Sequence, residues 1–91
     1  MRRVIWSDQA LEQLEAITTY VRTESPAAAA RLEARIVEKA DSLVMMPDRG
    51  RPISRGRRLI AVTRTYLLSY VVVGEEVRIL SVRHGARRPE P

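Results

Sequence analysis

A two-layer α+β fold, with a helical hairpin packed on a small, mainly antiparallel sheet in the order β-α-α-β-β-β, is predicted by three features of the chain. Two stretches of the first half carry apolar residues at helical spacing, Ala10-Leu14-Ile17-Val21 and Leu32-Ile36-Ala40-Leu43. A segment with two prolines and two glycines, residues 47–56, then interrupts regular structure. Beyond it lie runs rich in β-branched and aromatic residues, of which Tyr66 to Val73 is the strongest.

Each element has a local cause. Arg2 to Trp6 reads as a short first strand, with Val4 and Trp6 on one side and Arg3 and Ile5 on the other. Trp6 is read as a core residue. Ser7 is placed to cap a helix over about residues 8–23, and Asp8 adds negative charge at the positive helix end. Ser25-Pro26 restarts the pattern, because serine caps well and proline is tolerated in the first helical turn. Ala27 to Ala30 propagate this second helix, and Pro47 stops it. Arg57 to Thr63, Tyr66 to Val73 and Val77 to Arg83 are predicted strands. Turns fall at Arg64-Thr65 and Gly74-Glu75, and residues 85–91 form a polar tail.

The whole chain of 91 residues is read as one domain, 1–91. Without cysteine there is no disulfide, thiolate-bound metal or thiol chemistry. No metal site or cofactor is expected. The apolar part of the N-terminus ends at Ser7-Asp8, too early for a signal peptide, and no stretch is long enough for a membrane helix. A cytoplasmic protein without a membrane partner is the expectation.

Charge is unevenly distributed. Residues 1–48 carry six basic and eight acidic groups, whereas residues 49–91 carry ten arginines against three glutamates. Codon bias accounts for part of the preference for arginine over lysine, but not for its concentration in one half. The imbalance points to an anionic partner, and arginine suits bidentate contact with carboxylate or phosphate. Arg49, Arg51, Arg55, Arg57 and Arg58 cluster within ten residues, with no aromatic residue interleaved. That pattern weakens a single-strand stacking model. The central strand is apolar on both sides. Tyr66, Leu68, Tyr70 and Val72 share one side, and Leu67, Ser69, Val71 and Val73 the other. One side covers the helices, and the second is expected to receive a partner.

An ordered set of residues carries a family likeness. Trp6-Ser7 with Ala10, Leu14, Ile17 and Tyr20 resembles the opening of ParE-type toxins, and Ser25-Pro26-Ala27-Ala28 with Arg31 resembles the start of their second helix. Pro47, Gly50-Arg51 and Arg57-Arg58-Leu59 resemble their loop and following strand. Tyr66, Tyr70, Val77, Ile79-Leu80, Val82 and His84-Gly85-Ala86-Arg87 resemble the closing hairpin. The similarity runs through the whole chain and places it with the RelE/ParE superfamily.

The resemblance implies a type II toxin with a cognate antitoxin, in a heterotetramer or larger. It implies one of two targets: DNA gyrase for ParE-type members, or ribosome-bound mRNA for RelE-type members. A shared fold does not choose between them. An RNA-cleaving member needs a base for the 2′-hydroxyl, a cation for the phosphate and an acid for the leaving oxygen. Cations are present at Arg57, Arg58, Arg78 and Arg83. Lys39 falls in line with Arg31 and Arg35 on a helix face read as solvated. His84 is the one histidine, and the resemblance implies that it stands one residue before the place where endonuclease members keep a C-terminal acid, which Gly85 occupies. Its competing reading is a strand-end histidine bonded to backbone. If the chain is a nuclease, Arg58, Arg83 and His84 are the candidates. Tyr66, Leu68, Tyr70, Arg58 and Arg83 are expected to meet the antitoxin, and Arg49, Arg51, Arg55, Arg57 and Arg87 the target. The favoured reading is a gyrase-binding toxin without catalysis.

Overall fold

The computed structural model describes residues 1–85. Strand β1 (Arg3–Trp6) leads into helices α1 (Asp8–Arg22) and α2 (Pro26–Ser42). Strands β2 (Arg51–Pro52), β3 (Arg58–Ala61), β4 (Tyr66–Val73) and β5 (Glu76–His84) follow. The sheet order is β1-β5-β4-β3-β2, with β1 parallel to β5 and the other pairs antiparallel.

The helix starts follow the sequence closely. The Ser7 hydroxyl accepts from the Ala10 amide at 3.0 Å, and the Ser25 hydroxyl accepts from Ala28 at 3.1 Å. Both satisfy amides that a helix cannot pair internally. Ala10, Leu14, Ile36, Ala40 and Leu43 pack on Leu68, Tyr70, Val77, Ile79 and Val82 to form the core. Trp6 is partly buried against it.

The segment between α2 and β3 departs from the expected plain loop. It contains β2, which pairs Arg51 with Leu59 and Pro52 with Arg58, and a helical turn at Ser54–Gly56. Proline is tolerated in β2 because the strand lies at the sheet edge. The strand expected over Arg57–Thr63 is shortened to β3, since the Thr63 hydroxyl accepts from the amides of Thr65 and Tyr66 and draws the chain into a turn. Gly74 takes φ 59° in the last hairpin, as a tight turn between β4 and β5 requires.

Two residues expected at a partner surface are instead core. Leu68 and Tyr70 are both 0% exposed, beneath the helices. The Tyr70 hydroxyl donates to the Pro47 carbonyl at 2.7 Å and accepts from the Gly50 amide at 2.9 Å. A Cβ on Gly50 would lie 2.7 Å from that hydroxyl oxygen, so a glycine is required there by close approach. Arg58, opposite Tyr70 in the register, holds the same segment. It donates to the carbonyls of Gly50 at 2.6 Å and Asp48 at 3.2 Å, and its guanidinium lies 3.6 Å from the Asp48 carboxylate. Tyr70 and Arg58 are thus a clamp on residues 47–50.

Candidate anion-binding trough

Strand β1 ends at Trp6, opposite Ile79, so the outer edge of β5 is uncovered from Leu80 onward. Helix α1 completes it. The Ser7 amide donates to the Ile79 carbonyl at 3.0 Å, and the Ser7 hydroxyl donates to the Leu80 carbonyl at 3.2 Å. The Gln13 side-chain oxygen accepts from the Val82 amide at 2.8 Å. Along this seam a register irregularity at Ser69/Tyr70 leaves Leu80 as the additional residue of β5. Such bulges re-aim side chains next to them.

The result is a trough with two ends. At one end Arg57, Ser69, Ser81 and Arg83 surround a depression of about 360 Å³ that also includes Ser7, Gln9 and Gln13. Ser69 is nearly buried, and its hydroxyl lies 2.5 Å from that of Ser81 across the β4–β5 ladder. The Arg83 Nε is buried and has no hydrogen-bond partner among the described residues. A buried donor without an acceptor is uncommon, and Arg83 also borders, with Arg57, a depression that has no carboxylate among its described lining residues. Arg57 is steadied by its Nε donating to the Ser54 carbonyl at 3.2 Å. The chemistry of this end suits a carboxylate or a phosphate oxygen.

The other end is aromatic. Ala16, Ile17 and Tyr20 of α1 face Tyr66, Val82, Arg83 and His84 across a groove of about 880 Å³. The Tyr66 and His84 rings meet edge-on with centroids 5.4 Å apart. Tyr20 is 69% exposed, so it stands at the rim. Gln13 and Arg83 line both ends and make them continuous.

The arginine cluster of the sequence is therefore dispersed. Arg57 reaches the trough, Arg58 braces its loop, and Arg49 donates to the Ser42 hydroxyl at the end of α2 at 3.2 Å. Arg51 and Arg55 are exposed, and Arg55 takes φ 63° at the tip of its turn. Arg87 lies outside the described residues. Of the residues expected to meet an antitoxin, Tyr66 and Arg83 come together, whereas Leu68, Tyr70 and Arg58 are taken up by folding. Tyr20, Gln13, Ser69 and Ser81 were not among the expected site residues. Ser69 left a trace, as the one polar residue inside the apolar run Tyr66–Val73. Tyr20 left none, because only packing brings it beside Tyr66.

Residues 4–89 match the family model described as the ParE toxin of the type II toxin-antitoxin system parDE. A protein of Caulobacter vibrioides named Toxin RelE2 is 39% identical over 87 residues, covering 96% of this chain and 99% of the relative. A structure described as a chromosomal ParDE system from P. aeruginosa superposes with a TM-score of 0.81 at 28% identity, over 92% of this chain and 96% of that one. YafQ from E. coli shares the fold, with a TM-score of 0.53 at 17% identity over 94% and 96% of the two chains.

Proposed function

The chain belongs to the ParE toxin family of type II toxin-antitoxin systems, and from that premise we propose that it inhibits DNA gyrase by binding, without cutting RNA. As a type II toxin it pairs with a cognate antitoxin. The reading rests on one observation: among the described residues, no carboxylate, lysine or histidine lines the depression between Arg57 and Arg83. Two guanidiniums suit an anion, but a guanidinium offers donors and no acceptor and so supplies no base for 2′-hydroxyl attack. The exposed Arg51 and Arg55 then belong to the target-facing surface. In this reading the trough takes the antitoxin, with carboxylates at the Arg57–Arg83 end and an apolar or aromatic side chain in the groove of Tyr20 and Tyr66.

A second reading, a ribosome-dependent mRNA endonuclease, is favoured by a different observation. Arg83, His84 and Tyr66 line one groove, which assembles a cation, a titratable ring and a stacking surface in one place. The two readings separate in paired assays of the purified toxin. Gyrase supercoiling is expected to fall in proportion to added toxin, with mRNA on programmed ribosomes left intact. Cleaved mRNA with unaffected supercoiling overturns the gyrase reading.

A further inference from the structure

A second cationic surface lies away from the trough, on one flank of α2. Arg31, Arg35 and Lys39 recur every four residues, so they form a line along the helix with a step of about 6 Å. Arg35, Lys39 and Ser42 border a cleft of about 280 Å³ with Arg49 and Val62, while Glu33 lies on the flank that meets Leu14 and Thr18 of α1. The loop after α2 extends the basic line. Arg49 donates to the Ser42 hydroxyl at 3.2 Å, and that hydroxyl donates to the Lys39 carbonyl at 2.7 Å. Glu38 also borders the cleft. Even so, none of Arg31, Arg35, Lys39 and Arg49 forms an ion pair among the described residues, unlike Arg3, Arg58 and Arg78.

We propose that the α2 flank formed by Arg31, Arg35, Lys39 and Arg49 binds the phosphate backbone of duplex nucleic acid. Three features select this ligand. A line of evenly stepped cations matches a polymer of repeating anions better than a single carboxylate. The cleft has no aromatic lining residue, so it gives unstacked bases nothing to stack on and suits a duplex, whose bases are inside. The surface is also separate from the trough: the two share no lining residue, so a carboxylate-bearing partner in the trough leaves this flank open. The proposal does not depend on the gyrase reading, because it concerns a different surface.

The test is fluorescence anisotropy of the full chain with a labelled duplex of arbitrary sequence across a salt series. The variant R35E/K39E/R49E is expected to lose at least tenfold in affinity at low salt. Its slope of log affinity against log salt should shrink by about three, one phosphate contact per lost cation. The charge-matched variant R2E/R22E/R64E, on exposed arginines elsewhere, should keep most of the slope. Equal losses in both variants mean that binding tracks net charge alone and overturn the proposal. So does a wild-type chain that binds a glutamate-rich peptide at the α2 flank but no duplex. Melting curves check folding, and R35A/K39A/R49A carries the same test if charge reversal prevents it.

Discussion

Two regions of the molecule differ in what their polar groups do. Beneath the helices the principal buried polar group is the Tyr70 hydroxyl, and it is fully engaged, donating to Pro47 and accepting from Gly50. Around it Leu68, Val77 and Ile79 are wholly excluded from solvent. Along the α1–β5 seam, in contrast, Ser69, Ser81, Arg57 and Arg83 converge, and the Arg83 Nε lacks a partner among the described residues. Adjacent residues of one strand serve these two ends: Ser69 lines the seam, and Tyr70 anchors the core. A side whose hydrogen bonds are closed internally is built for folding. A region where a donor is left over is where we propose that an acceptor arrives from outside.

The sharpest way to break that contrast is charge reversal in the trough. Replacing Arg57 and Arg83 with glutamate is expected to weaken antitoxin binding at least a hundredfold, by titration calorimetry, while leaving the melting temperature within a few degrees of wild type. Unchanged affinity would remove the trough from the interface, and collapse of the fold would make those arginines structural. The helix side should respond in the opposite way. Tyr70→Phe leaves the buried Gly50 amide unpaired and is expected to cost about 1–3 kcal/mol in denaturant unfolding, with little change in the affinity of the folded protein. A variant as stable as wild type would mean that the 47–50 clamp contributes nothing.

The smallest effect is expected at the β1–β5 edge. Arg78 Nε donates to Glu76 at 2.8 Å and Arg3 donates to it at 3.1 Å. These bonds, that of Arg78 first, hold the Glu76 carboxyl below its ordinary value. A carboxyl lowered by folding stabilises the protein above its unfolded-state value and ceases to do so as pH falls through the folded-state one. Glu76→Gln should therefore lower the melting temperature slightly at neutral and alkaline pH and approach wild type as pH falls, which flattens the acid side of its curve. A variant curve parallel to wild type at all pH values would show that the exposed pairs contribute nothing.

Much of the architecture was legible because its causes are local. Ser7 and Ser25 cap the helices that the apolar spacings predicted, and Gly74 turns the last hairpin. The short strand β2 was hidden. Arg51-Pro52 has no strand signal of its own and is extended only because β3 offers it an edge. The site was legible in part. Charge and aromatic character picked out Arg57, Arg83 and Tyr66, which line the trough, but nothing in the sequence marked Arg58 as held by its own loop. Its guanidinium is consumed by Asp48 and Gly50, which lie eight to ten residues before it and meet it only in the folded loop.

The sequence by itself determined the element order, the apolar stripes and the concentration of arginine after residue 48, because capping, spacing and charge are properties of neighbouring residues. Tertiary structure alone decided where each arginine went. Strand alternation sends Arg57 and Arg58 to opposite sides of the sheet, the Ser42 hydroxyl draws Arg49 to α2, and the early end of β1 leaves the edge of β5 to Ser7 and Gln13. The physical reason is that a guanidinium ends on whichever acceptors the chain brings within reach. Those acceptors are fixed by pairings between residues far apart in sequence, which no local pattern records.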